Sequence, residues 1–142
     1  MATNLVPFET RHAVWLTQYA NLAEWREMPQ HELQTLKRGE ALTLMVGGEI
    51  VACGGIVRVW QGFGELWVMT GPLAHKYPVA LFKAARLLVR LACDYHRIQA
   101  TCLESTPNGC KLLEKLGLIH EYTMAGAGPN KEPMRLYAMV TT

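Results

Sequence analysis

A pair of glycines between two strand-like segments constrains the fold more than any other feature of this chain. Gly47-Gly48 separates Glu40 to Val46, EALTLMV, from Glu49 to Val59, EIVACGGIVRV. A two-residue turn between antiparallel strands needs positive φ angles, which glycine adopts without steric cost. The sequence therefore predicts a β-hairpin in the middle of the chain.

A third strand follows the hairpin almost at once. Gln61 to Gly64, QGFG, predicts a second turn, and Glu65 to Thr70, ELWVMT, has the composition of a strand. Gly54-Gly55 lies inside the second strand and predicts a bulge or a bend there. We therefore expect three antiparallel strands in succession.

The segment before the hairpin has helical periodicity. Asn4 to Pro7 predicts a brief strand, and Thr10 offers an N-cap oxygen. From Arg11 to about Glu27, apolar residues recur every three or four positions, as on one face of an amphipathic helix. Pro29 ends this helix, and a second, short helix is expected over Gln30 to Lys37.

A long helix is expected after the third strand. Pro78 suits its first position, because proline fixes a helical φ and lacks only an N–H that would be unpaired there. The pattern continues to about His96. The predicted core stripe of this helix consists of Leu81, Ala84, Leu88, Leu91 and Tyr95.

The chain then alternates again between strand and helix. Ile98 to Leu103 predicts a strand, and Thr106-Pro107 begins a helix that ends at Leu116 before Gly117. The last two strands are predicted at Ile119 to Met124 and Met134 to Val140. The order β-α-α-β-β-β-α-β-α-β-β predicts an α/β (α+β) fold, because βαβ units require parallel pairing beside the antiparallel strands.

Composition excludes several classes of protein. The 142 residues fit one domain, residues 1–142, and the net charge of +2 does not indicate a nucleic-acid partner. The four cysteines and five histidines lack metal-ligand spacing, so we expect no metal and a reducing compartment. With no signal peptide and no apolar run of about 20 residues, we expect a cytoplasmic protein without a membrane span.

The order of elements over residues 4–140 resembles that of the GNAT (N-acetyltransferase) superfamily, with its mixed sheet of six to seven strands. Thr106 to Tyr122, TPNGCKLLEKLGLIHEY, is similar to the penultimate helix of the family, and Lys115, Gly117 and Leu118 fill the turn that closes it. Gly64 to Pro78, GELWVMTGPLAHKYP, resembles the cofactor-side strand and its exit loop. Within the superfamily, the chain looks closest to the GNAT-like proteins of tailed phages, including small internal virion proteins.

The resemblance implies that acetyl-CoA binds where two parallel strands splay apart. Those strands would be Glu65 to Thr70 and Ile98 to Leu103. The pantetheine arm would pair with backbone groups of Val68, Met69 and Thr70.

The resemblance also implies a pyrophosphate-binding loop, R/Q-x-x-G-x-G/A, ahead of the long helix. Its positions fall on Lys76-Tyr77-Pro78-Val79-Ala80-Leu81, where both glycines are absent and Pro78 has no N–H. Lys76 takes the place of the Arg or Gln, and Tyr77, Val79 and Ala80 would contact the cofactor at the helix start. The alternative is a plain strand-to-helix connection.

The same resemblance assigns the catalytic groups. Glu65 stands where part of the family has a glutamate that acts as general base, although a merely exposed residue is the alternative. Thr106 and Asn108 stand near the polar residue that opens the penultimate helix, and a simple helix cap is the alternative. Leu113 occupies the position of the usual acid, a tyrosine, and cannot donate a proton.

Two functions follow from these observations. The first is an acetyl-CoA-dependent N-acetyltransferase that acts on a small-molecule or protein amine. The second is a catalytically silent GNAT-like phage protein, structural or regulatory, in the host cytoplasm or the virion, with a homodimer or a virion partner. Its interface would use Trp15 and Trp25, for which core packing is the alternative. An unrelated α+β binding module is a third interpretation.

Overall fold

A computed structural model of the chain describes residues 2–18, 33–37 and 39–141. Within these residues the strands are β1 (Thr3–Pro7), β2 (Gly39–Val46), β3 (Glu49–Trp60), β4 (Phe63–Thr70), β5 (Arg97–Leu103), β6 (Ile119–Met124) and β7 (Met134–Val140). The α-helices are α1 (Thr10–Thr17), α2 (Pro78–Leu91) and α3 (Pro107–Lys115). Single 3₁₀ turns cover Gln34–Lys37 and Ala74–Lys76.

The strands form one mixed sheet in the order β1-β2-β3-β4-β5-β7-β6. β4 and β5 pair in parallel, and the other neighbouring strands pair antiparallel. The α/β fold with a mixed sheet is therefore confirmed, and the order of strands and helices is broadly the predicted one.

The central hairpin forms as its sequence predicts. Gly47 and Gly48 have φ angles of 59° and 83°, and Val46 pairs directly with Glu49. Both glycines thus occupy the left-handed region that the two-residue turn requires.

The bulge predicted at Gly54-Gly55 is wrong. Pairing with β2 runs through these glycines without interruption, and the register shifts lie between Leu44 and Met45 and between Arg58 and Trp60 instead. A Cβ at Gly55 would overlap the Glu40 carbonyl oxygen. Glycine is needed here for close approach of two backbones.

The N-terminal helix begins one residue earlier than a Thr10 cap requires. Glu9 occupies the N-cap position, and its N–H donates a hydrogen bond of 3.1 Å to Nδ1 of His12. α1 is described to Thr17, so the continuation predicted to Glu27 lies outside the described residues. Of the second predicted helix, the described part is a 3₁₀ turn over Gln34–Lys37.

The long helix α2 ends at Leu91 rather than at His96. Its last turn tightens, with the Ala92 N–H donating to the Val89 carbonyl oxygen at 3.2 Å. Leu91, predicted in the core, is 49% exposed. Tyr95 is buried as predicted, but it lies in the loop after the helix.

The helices cover both faces of the sheet. α2 and α3 bury Leu66 and Ala100 on one side, which we call the α2–α3 face. Leu16 of α1 packs with Trp67 and Met69 on the opposite side, which we call the α1 face. Successive residues of β4 thus alternate between two separate cores, as side chains on a strand must.

The second half of the chain agrees closely with its pattern. α3 ends before Gly117, whose φ of 101° closes the helix. The Leu118 N–H then donates to the Leu113 carbonyl oxygen at 3.1 Å. The buried Tyr137 hydroxyl of β7 donates to Glu114 at 2.9 Å and anchors α3 to the sheet.

Candidate functional site

The two parallel strands at the centre of the sheet separate after three paired residues. Phe63, Gly64 and Glu65 of β4 pair with Arg97, Ile98 and Gln99 of β5, and pairing stops there. On its other side, β5 pairs with β7 along its whole length. The divergence therefore occurs between β4 and β5 alone, and it opens the sheet toward the carboxyl ends of both strands.

A cleft of about 1460 Å³ occupies this opening. β4 and β5 form two of its sides, and the start of α2, the length of α3 and the 3₁₀ turn at Thr35 and Leu36 contribute the others. Residues of both sheet faces line it, since Trp67 and Thr101 point to the α1 face and Val68 and Cys102 to the α2–α3 face. The cleft therefore borders both faces of the sheet.

The β4 backbone offers hydrogen-bonding groups to the cleft. The Gly71 N–H donates to Val51 on the β3 side at 3.1 Å, whereas the Gly62 carbonyl accepts from Arg97 on the β5 side at 3.1 Å. Because these directions alternate along a strand, the N–H and C=O groups of Val68 and Thr70 point toward β5. β5 has moved away at that level, so these groups have no cross-strand partner among the described residues.

The predicted cofactor-binding residues divide into two groups. Those that line the cleft, together with Glu65, are Val68, Thr70, Val79, Thr106 and Asn108. Those that lie outside it are Met69, Lys76, Tyr77 and Ala80. Their roles remain predictions, but their placement differs for physical reasons.

Met69 and three residues around the start of α2 do not line the cleft. Met69 is fully buried on the α1 face, and its backbone points to β3. Tyr77 and Ala80 pack against the cluster of Leu44 and Val46 under α2. Lys76 is exposed in the 3₁₀ turn.

The start of α2 points its unpaired amides at the mouth of the cleft. The Leu81 N–H makes the first helical hydrogen bond, to the Tyr77 carbonyl at 3.0 Å. The N–H groups of Val79 and Ala80 therefore have no partner within the helix. Pro78 and Val79 line the cleft, so the positive end of the helix dipole lies beside it.

Two lysines that sequence reasoning did not assign to the site also line the cleft. Lys111 and Lys115 are exposed and lie one turn apart on α3. Their spacing of four residues was the available signal, because it places both on one side of the helix. Cys102 of β5 is half-buried in the cleft wall.

The opening of α3 is built around the Thr106 hydroxyl. Its Oγ1 donates to the Leu103 carbonyl at 2.8 Å and lies 3.3 Å from Sγ of Cys102. It makes no side-chain cap to the helix, so the capping alternative does not describe Thr106. Leu113 is buried beside the cleft and, as expected, brings no proton donor.

Glu65 stands where the two strands part. Its side chain is exposed, and Oε1 accepts a hydrogen bond of 3.4 Å from Nε2 of Gln99 on β5. Gln99 in turn contacts Arg97, which forms an ion pair with Glu121 at 2.6 Å. A carboxylate at the apex of the cleft, held from one side by an amide, can accept a proton from a bound amine.

Solved structures with the same fold are GNAT acetyltransferases. A GNAT-family acetyltransferase from Bacillus anthracis superimposes with a TM-score of 0.73 at 16% identity, covering 99% of this chain and 95% of that one. The ribosomal-protein-S18-alanine N-acetyltransferase from Escherichia coli gives 0.73 at 14% identity, covering 98% and 94%. A spermidine N-acetyltransferase mutant from Vibrio cholerae gives 0.72 at 10% identity, covering 97% and 93%. The chain therefore has the GNAT fold.

No protein-family model and no curated protein matches the chain. In the described part of the chain, no helix is long and apolar enough to cross a membrane. The same residues contain no group of three or more His, Cys, Asp or Glu side chains able to hold a metal ion.

Proposed function

We propose that the protein is an acetyl-CoA-dependent N-acetyltransferase that transfers an acetyl group to an amine. The observation that carries this proposal is the cleft between β4 and β5, which lies between two parallel strands and beside the start of a helix. The thioester of acetyl-CoA supplies the acetyl group. The products are an amide and CoA, and protons balance when the thiolate regains the proton that the amine loses.

The cleft residues fit an extended amide-containing ligand with a phosphorylated end. Backbone groups of Val68 and Thr70 would pair with the amides of the pantetheine arm as an added strand does. The amides of Val79 and Ala80 favour phosphate at the helix start. Lys111 and Lys115 add two positive charges to the cleft wall, which compensates for the absent glycine loop.

Glu65 is the proposed general base. An ammonium ion must lose a proton before its nitrogen can attack a thioester, and a carboxylate at the apex of the cleft can accept it directly or through one water. Residues of both faces line the cleft, so in this proposal the amine enters from the α1 face while the donor lies along β4. Glu65 is exposed toward that entry.

The acceptor class is an amine of a small molecule or a protein. The named activities of two structural neighbours, on spermidine and on an alanine of ribosomal protein S18, supply probes of both kinds. The proposal includes a cytoplasmic location. A catalytically silent phage protein has no need of an open cleft with a carboxylate at its apex, so the enzyme is favoured.

Calorimetry with acetyl-CoA tests donor binding. We expect a dissociation constant on the order of micromolar, weakened at least tenfold by the double variant Lys111→Glu, Lys115→Glu. Arg90→Glu, a charge reversal in the last turn of α2, is the matched control and should bind normally. Absence of binding at millimolar acetyl-CoA would contradict the proposal.

Release of free CoA thiol then tests transfer, with spermidine and an alanine-initiated peptide as acceptors. Glu65→Gln should lower kcat by roughly 10²-fold or more, because it removes the base. Glu49→Gln, on an exposed carboxylate beside the hairpin turn, should leave kcat unchanged. Equal losses in both variants would remove Glu65 from the mechanism.

A further inference from the structure

Gln99 lies in the middle of a line of polar side chains on the sheet. Its Oε1 accepts two hydrogen bonds from Arg97, from Nε at 3.1 Å and from Nη2 at 3.0 Å. Its Nε2 donates to Oε1 of Glu65 at 3.4 Å. Gln99 therefore links Glu65, the base proposed above, to the guanidinium of Arg97.

Arg97 determines which end of the Gln99 amide meets Glu65. A guanidinium is a donor only, so the group that faces it must be the amide oxygen. The NH₂ group must then point the other way, toward the carboxylate. The Glu65 carboxylate only accepts hydrogen bonds, so it reinforces the orientation that Arg97 imposes.

Arg97 is itself fixed on two sides. Nη1 and Nη2 donate to both oxygens of Glu121 on β6, at 3.1 Å and 2.6 Å. The guanidinium carbon lies 5.9 Å from the centre of the Phe63 ring of β4. A paired guanidinium of this kind, 25% exposed, has little freedom to turn away from Gln99.

We propose that Gln99 is a positioning residue for Glu65 in the acetyl transfer proposed above, and that Arg97 and Glu121 hold Gln99 in the donating orientation. The bond occupies Oε1 of Glu65. Oε2 makes no hydrogen bond with the described residues and stays available to the amine. At 3.4 Å the bond is long, and bonds of this kind tighten when substrate completes the site.

An isosteric substitution separates the roles of the amide oxygen and the NH₂ group of Gln99. Gln99→Glu keeps an acceptor for Arg97 but cannot donate to Glu65. We expect normal folding and acetyl-CoA affinity with kcat reduced roughly tenfold to a hundredfold, since small misplacement of a reacting group has effects of this size. Gln99→Leu should lower kcat similarly, while Gln61→Glu and Gln61→Leu, in the β3–β4 turn, should not.

A spectroscopic measurement tests the hydrogen bond without turnover. In ¹H–¹⁵N spectra, the side-chain NH₂ pair of Gln99 is assigned by its disappearance in Gln99→Glu. Glu65→Ala should shift this pair, because the acceptor is lost, and Arg97→Gln should shift it as well. The NH₂ pair of Gln61 should stay in place in both variants.

The outcomes distinguish this proposal from the proposed function. If Glu65→Gln abolishes turnover while Gln99→Glu retains full kcat, the enzyme stands and the positioning role is overturned. An NH₂ pair that does not respond to Glu65→Ala overturns it too. If acetyl-CoA fails to bind, the function assigned to the site fails first, and the positioning role with it. If Glu65→Gln keeps full kcat, acetyl transfer stands but Glu65 is not its base, and the positioning role is overturned.

Discussion

The two sides of β5 differ although one strand forms both. Toward β7, all seven residues of β5 from Arg97 to Leu103 are paired, whereas toward β4 only the first three are. The closed side buries Tyr137 completely and ties α3 to the sheet. The open side leaves Thr101 exposed in a central strand. In this fold the site is the place where strand pairing stops.

Packing is close around the three residues of β4 that pair with β5. Gly64 is the middle residue of the three pairs, and a Cβ there would overlap the Tyr95 ring and Ile56. Backbone and core thus meet at close range just before the strands part. The lack of a side chain at Gly64 therefore lets Tyr95 and Ile56 pack against the backbone at the level where the strands part.

The largest effect is expected from proline at two neighbouring positions of β4, Met69 and Val68, whose N–H groups point to opposite sides of the strand. Proline at Met69 removes an N–H that points to β3, so the β3–β4 pairing loses a hydrogen bond. Proline at Val68 removes an N–H that points into the cleft, so no hydrogen bond between strands is lost. Relative to alanine at the same site, proline should therefore destabilise the protein more at Met69 than at Val68. At Val68 the increment should be smaller by at least ~1 kcal/mol. Urea unfolding measures both.

For ligand binding, proline at Val68 should have a larger effect than proline at Met69. Val68→Pro removes a donor from the cleft and should weaken acetyl-CoA binding about tenfold, which is the loss of one hydrogen bond. Val68→Ala keeps the backbone and is the matched control, with affinity near that of the native protein. Equal affinities of the two variants would show that the β4 backbone does not pair with the ligand.

A further effect should distinguish neighbouring side chains on one face of β4. Leu66 is 4% exposed in the core under α2 and α3, whereas Val68, two residues on, is half-buried in the cleft wall. We expect Leu66→Ala to lower the free energy of unfolding by about 3 kcal/mol. Val68→Ala should lower it by less than ~1 kcal/mol, since water already reaches that site. Similar losses would mean that the cleft is filled in solution.

Sequence patterns predicted the fold wherever one local rule decides the structure. Gly47-Gly48 and Gly117 need positive φ, and the last two strands were predicted with their observed bounds. The errors occurred where tertiary packing decides. Leu91 continues the helical period, yet the helix stops before the loop that buries Tyr95. The glycines at 54 and 55 serve a close approach between strands, which periodicity does not report.

The candidate site was predictable in outline and not in detail. The resemblance placed the cleft between the correct strands, and six of the predicted residues line it, namely Glu65, Val68, Thr70, Val79, Thr106 and Asn108. Met69 could have been excluded by alternation along β4, because its neighbours point to the cleft. Gln99, and through it Arg97, could not be found, since the contact of Gln99 with Glu65 depends on the register of a parallel pair that no short motif specifies.

The smallest expected effect concerns the ion pair on the closed side of β5. The Arg97 guanidinium holds the pKa of the Glu121 carboxyl below its ordinary value of 4.5. A lowered folded-state pKa means that the pair stabilises the protein above pH 4.5, and that this contribution disappears as the pH falls below it. The pair is partly exposed, so the effect should be small and screened by salt. Urea midpoints of the native protein and Glu121→Gln should therefore differ slightly at pH 7 and converge at acid pH. Glu49→Gln should show no such convergence, and a difference that persists at low pH would assign the effect to packing of the Glu121 side chain rather than to its charge.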